Sequence, residues 1–183
     1  MNQFQTTTAL KTADEAGTGI EPVSLQTPSK LRVGYIEACW HYEIVERARH
    51  SFTRKVSESG ISESQIEVFQ VPGSLEIPLQ AKLLAKSGSF DMIVACGLIV
   101  NGGIYRHEFV TTSVIDGMMQ VQLETEVPVL SVVLTPLNFH ETTEHQQFFF
   151  DHFVKKGEEA GNACVRTLAN MQKLGATRAQ AGA

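Results

Sequence analysis

The chain has 183 residues, 43% of them hydrophobic and 19% charged, with a formal net charge of −5. That balance describes one ordinary globular domain, and its negative sign argues against a large nucleic-acid surface. The apolar runs fall well short of the roughly 20 residues that a membrane helix needs, and no continuous apolar segment near the start reads as a secretory signal. Cys39, Cys96 and Cys164 are odd in number and widely spaced. They fit no metal signature and suit a reducing compartment, so the chain is expected to be cytoplasmic.

Residues Met1 to Lys30 are rich in Thr, Gln, Ala, Gly and Pro without a sustained period, and read as a mobile arm. A strand–helix alternation follows. Leu31–Glu37 reads as a strand, and Tyr42–Ser59 as a helix with Ile44, Val45, Ala48, Phe52 and Val56 on one face. Ile66–Val71 is the second strand. Pro72-Gly73-Ser74 turns the chain, Ser74 suits the N-cap, and a helix reaches about Lys86 with Pro78 in its first turn.

Met92–Leu98 is the third strand, followed by a helix from about His107 to Thr125. Val127–Thr135 is the fourth, and a long helix runs from about Thr142 to Leu174 with small residues Gly157, Ala160 and Gly161 along its seam. A second mobile stretch closes the chain, residues 175–183. This order predicts an α/β fold with a parallel sheet and right-handed crossovers. In such sheets the active site lies beyond the carboxyl ends of the strands.

The most informative strand end is Gly97-Leu-Ile-Val-Asn-Gly-Gly-Ile-Tyr-Arg-His-Glu-Phe109. A Gly-Gly turn there leads into a helix start, where free N–H groups and the positive end of the dipole suit a phosphate. Arg106 adds a fixed cation, and His107 a group that titrates near neutral pH. Anion binding beside proton transfer is what a phosphate-releasing reaction needs.

Four segments then carry a resemblance: Pro72-Gly-Ser-Leu-Glu-Ile-Pro78, the Gly97–Phe109 loop, Val127-Pro-Val-Leu130 and Lys156-Gly-Glu-Glu-Ala-Gly-Asn162. In this order and spacing, the stretch from Leu31 to Leu174 resembles the lumazine synthases of riboflavin biosynthesis. The Gly-Gly-Ile-Tyr-Arg-His and Phe-His-Glu wording resembles their second isoenzyme group, known from rhizobia and relatives. The resemblance implies a flavodoxin-like three-layer sandwich, with a central four-stranded parallel sheet flanked by helices. It implies condensation of 5-amino-6-ribitylamino-2,4-pyrimidinedione with 3,4-dihydroxy-2-butanone 4-phosphate, using no metal and no redox cofactor. It also implies sites between subunits of a homo-oligomer, either a pentamer or a dimer of pentamers, with no nucleic-acid or membrane partner. A flavin- or lumazine-binding homologue with little turnover is the alternative at this point.

Carried over by position, the resemblance puts Trp40 against the pyrimidine, where its flat face suits a heterocycle, although packing on the first helix would also use it. His41 follows as a hydrogen-bonding candidate. Ser74, Leu75 and Glu76 match the ribityl-binding positions, and Ser74 and Glu76 also suit capping. Ile99, Val100 and Leu130 frame the pocket or the core. Gly102 and Gly103 let backbone approach phosphate.

Lys155 or Lys156 is expected to supply the phosphate cation where the common enzymes carry arginine; alignment back from Ala160-Gly161-Asn162 selects Lys155, although a lysine pair on a helix also reads as a solvated face. Gap-free alignment puts Arg106 at the family's catalytic histidine and His107 one place later. Either the loop bulges by one residue and His107 moves the proton while Arg106 holds phosphate, which is the expectation, or Arg106 replaces the catalytic histidine and proton transfer is poorer. Ser131 stands where the common enzymes often carry an aromatic residue. His140, His145 and His152 lack zinc spacing, and Phe148–Phe150 reads as core or subunit contact.

Overall fold

The computed structural model describes residues 31–181 except Gly103, Asn138 and Glu141, with no side chain beyond Gly175. The expected mobile arm, Met1–Lys30, lies outside the described residues. The elements alternate as β1 (Val33–Ala38), α1 (Tyr42–Ser57), β2 (Ile66–Val71), α2 (Ile77–Lys86), β3 (Met92–Leu98), α3 (His107–Thr125), β4 (Val129–Leu134) and α4 (Thr143–Ala181). All four strands pair in parallel in the order β2-β1-β3-β4. This is the flavodoxin-like α/β sandwich expected from the sequence.

Helices cover both faces of the sheet, so its two central strands are buried along their whole length. Residues of β1 divide by the period of two: Val33 and Tyr35 join the core beneath α1 and α4, while Ile36 and Ala38 join the core beneath α2 and α3. The α1 stripe expected from the sequence is buried, with Ser51 added to it. The Ser51 hydroxyl is satisfied within its own helix, donating to the Arg47 and Ala48 carbonyls at 3.1 Å.

Close approach of α4 to α1 needs the small residues of the seam. A Cβ on Gly157 would run into the Ala48 carbonyl and the Ser51 hydroxyl, and one on Gly161 would lie 2.7 Å from Lys55 Cβ. Glu37 is fully buried; its carboxylate pairs with Arg49 Nε at 2.9 Å and accepts a hydrogen bond from Gln70 Nε2 at 3.0 Å. This network ties β1 to α1 and to β2 near the carboxyl end of the sheet. Burial pushes the Cys96 thiol up to about 12, so it stays protonated in the core.

Boundaries differ where local chemistry competes. Ser74 does not cap a helix; Ser74–Glu76 forms a 3-10 turn before α2, and Glu76 Oε2 accepts from the Gly73 N–H at 2.9 Å. β4 begins at Val129 rather than Val127, because Pro128 has no N–H to give a ladder. α4 continues to Ala181, past the expected end at Leu174. Five of the seven residues from Gly175 to Ala181 are Ala, Arg or Gln, all good helix formers.

Candidate functional site

The connections leave β1 toward β2 and then return across β1 to β3, so the chain switches direction between β1 and β3. A ligand crevice is expected at such a switch point, beyond the carboxyl ends. A cleft of about 480 Å³ opens there, walled by Trp40 after β1, Pro72–Glu76 after β2, Leu98–Val100 and Gly102 after β3, and His107 and Val110 at the start of α3.

Each wall has a local cause. Trp40 projects from a tight turn between β1 and α1 and is 66% exposed. Its indole nitrogen lies over Gly73, 3.9 Å from where a Cβ would sit. The Glu76 carboxylate folds back to the Gly73 N–H, which fixes the 3-10 turn and leaves polar groups lining the cleft. Gly97 makes room for Ser74, whose Oγ would lie 2.9 Å from a Cβ at that position.

α3 starts at His107, so its free N–H groups and positive dipole end face the Gly102 loop. His107 lines the cleft, its side chain 18% exposed, with Nδ1 3.5 Å from Glu108 Oε2. Arg106 occupies the N-cap in an extended conformation, with its guanidinium 4.7 Å from the Phe109 ring centre. The arrangement offers an apolar, aromatic wall for a flat ring, a polar turn for hydroxyl groups, and a helix start with an imidazole for an anion and a proton.

The cleft therefore gathers Trp40, Ser74, Leu75, Glu76, Ile99, Val100, Gly102 and His107 from among the expected residues. Others lie elsewhere on the chain. His41 does not line the cleft; its ring packs on Phe139 with centroids 4.9 Å apart. The left-handed backbone at His41 (φ 54°) turns successive side chains apart, which the sequence pattern does not reveal. Leu130 packs into the core beneath α1 and α4, and Ser131 is exposed on β4, the edge strand.

Lys155 is exposed on α4, and Arg106 points along α3 rather than lining the cleft. Gly103 lies outside the described residues. His145 and His152 line a separate groove beside the end of β4, where the His152 ring stacks on Phe148.

Sequence reasoning missed Pro72, Gly73, Leu98, Ile104, Tyr105 and Val110 as lining residues. Val110 was within reach, because it sits one helical turn beyond His107. Ile104 and Tyr105 were in the informative run, but nothing in their type marked them. They are 90% and 67% exposed at the mouth.

Residues 30–172 match the family model described as 6,7-dimethyl-8-ribityllumazine synthase. The chain is 52% identical over 159 residues to 6,7-dimethyl-8-ribityllumazine synthase 2 of Pseudomonas syringae, covering 85% of this chain and 94% of that protein. It is 54% identical over 143 residues to the 6,7-dimethyl-8-ribityllumazine synthase of Rhodococcus erythropolis, covering 78% and 92%. The synthase 2 of Bradyrhizobium diazoefficiens is 48% identical over 158 residues, covering 85% and 94%. Since the match spans the whole sheet, its flanking helices and the cleft between them, the chain belongs to the 6,7-dimethyl-8-ribityllumazine synthase family.

Proposed function

We propose that this chain is a transferase of riboflavin biosynthesis, acting in the cytoplasm. It condenses 5-amino-6-ribitylamino-2,4-pyrimidinedione with 3,4-dihydroxy-2-butanone 4-phosphate to give 6,7-dimethyl-8-ribityllumazine, phosphate and water. The observation that carries the reading is the cleft at the β1/β3 switch point, where an aromatic wall, a polar turn and a helix start with His107 meet.

In this reading Trp40 stacks on the pyrimidine. The ribityl hydroxyls exchange hydrogen bonds with the Ser74 hydroxyl and the Glu76 carboxylate. The phosphate of the second substrate sits at the start of α3, against the Gly102 backbone. The primary amine attacks the ketone carbon and the carbinolamine loses water to an imine. Phosphate then leaves, and ring closure releases a second water. His107 carries protons through these steps, because it is the titratable side chain of the Arg106–His107 pair that lines the cleft. Arg106 strengthens the positive field for the departing phosphate.

The reading also takes the site to be shared between copies of the chain in a pentamer or a dimer of pentamers. Leu79 and Leu83 on α2 and Met119 and Leu123 on α3 are 65%, 57%, 48% and 74% exposed, an apolar face of the kind that subunit contact covers. Ser131 and Lys155, both exposed, would then reach the cleft of a neighbouring copy. Lys155 binds phosphate there as a point charge.

The test supplies both substrates and follows lumazine absorbance together with phosphate release. One phosphate per lumazine, at a rate proportional to protein and above the uncatalysed condensation, is the expected result. A rate equal to the uncatalysed one overturns the reading, and tight lumazine or flavin binding with that result would favour a binding protein instead.

A further inference from the structure

His41 combines a Cβ with left-handed backbone (φ 54°, ψ 40°) at the start of α1. That conformation costs about 1 kcal/mol or more and persists where the surroundings fix it. Here the His41 carbonyl accepts from the Ile44 and Val45 N–H groups at 2.9 and 3.1 Å. Its ring rests on buried Phe139, centroids 4.9 Å apart, and Phe139 in turn packs on Phe149 at 5.3 Å. The Phe139 N–H donates to Asn101 Oδ1 at 2.8 Å, across 38 residues of sequence. Asn101 immediately precedes Gly102 of the cleft, and Trp40 immediately precedes His41. One line of contacts thus joins the two walls of the cleft from behind.

We propose that Asn101, Phe139 and His41 are positioning residues, forming a brace that fixes the Trp40 indole relative to the Gly102 loop. The inference rests on the reading that Trp40 and this loop serve two different substrates of one condensation. Two bound reactants must be held in one relation, since a misplacement of about 1 Å can cost about 100-fold in rate. Trp40 is two-thirds exposed, so the body of the fold does not hold it by burial. The brace supplies that hold through His41. The Asn101 side chain thus links the loop after β3 to Phe139, and through the Phe139 ring to the turn before α1.

The chain has one tryptophan, so time-resolved fluorescence anisotropy of the assembled protein reports Trp40 alone. Asn101→Ala removes the acceptor for the Phe139 N–H, whereas Asn101→Asp keeps an oxygen in its place. Asn101 is exposed, so neither change opens the core. Asn101→Ala is expected to speed the local loss of Trp40 anisotropy and to raise KM for the pyrimidine amine about fivefold, the worth of one hydrogen bond.

Asn101→Asp is expected to restore both, while raising KM for the phosphate ketone because it adds negative charge beside the anion. His41→Gly keeps the left-handed turn without the ring, and is expected to loosen Trp40 as Asn101→Ala does. The brace is overturned if Asn101→Ala leaves the anisotropy and that KM unchanged, if Asn101→Asp fails to restore the anisotropy, or if His41→Gly leaves Trp40 as ordered as before. Anisotropy is read without substrate, so its outcome is separate from whether the chain catalyses the condensation.

Discussion

The expected site residues divide between two regions of the molecule. The cleft beyond β1 and β3 holds Trp40, Ser74, Glu76, Gly102 and His107, a polar turn and a helix start facing one space. The β4 edge and α4 hold Leu130, Ser131 and Lys155, which do not line that space. The cleft has the aromatic wall, the polar turn and the imidazole, and no lysine among its described lining residues. The edge has the lysine, which lines neither this cleft nor the groove of His145 and His152. On the proposed reading the two regions are complementary half-sites of neighbouring copies, and the exposed leucines lie on α2 and α3, the helices that cover the Ile36–Ala38 face of the sheet.

The largest effect is expected inside the cleft. His107→Ala should lower kcat by about 10²–10⁴-fold, the usual worth of a general acid–base group, with the thermal midpoint unchanged. Arg106→Ala should act mainly on KM for the phosphate ketone. If Arg106→Ala loses more kcat than His107→Ala, the two roles are reversed.

A change on the apolar face tests whether the halves meet between copies. Leu123→Arg puts a charge on a side chain that is 74% exposed, so the monomer should fold. Analytical ultracentrifugation should show a smaller particle, and activity should fall with it. Full activity in a monomeric variant would mean the cleft suffices alone.

On the edge, Lys155→Ala should raise KM for the phosphate ketone about tenfold, as expected for one charge-assisted hydrogen bond, with a smaller change in kcat. No change in KM would remove Lys155 from the site. Smallest in catalysis is Gly157→Ala in the α1–α4 seam. Overpacking there should cost about 1–3 kcal/mol in denaturant melts while leaving kcat of the folded protein alone.

Much of this division was legible in the residues, and the exceptions have physical causes. β3 and α3 begin and end where expected, because a fully buried central strand is a continuous apolar run and the Gly-Gly turn interrupts it sharply. Trp40 and His107 were visible as strand-end and helix-start residues. His41 was not, since its left-handed turn breaks the link between position and direction. Ser74 looked like a cap, but the longer Glu76 side chain reached the Gly73 N–H. Phe139 stood out only as part of the Phe-His-Glu resemblance, and its contact with Asn101 was not legible because the two lie in different loops. Lys155 and Ser131 were matched by resemblance, and a single chain gives them no local chemistry that marks a site.

Mixing two inactive variants tests the shared site most directly. His107→Ala spoils the cleft, and Lys155→Glu spoils the edge by reversing its charge. The two are unfolded and reassembled together, then assayed beside each parent treated the same way. If each site takes its cleft from one copy and its edge from another, some sites in the mixed particles are intact. The mixture should then exceed the mean activity of its parents. Activity equal to that mean would contradict the account, because it would show that each chain carries its whole site by itself.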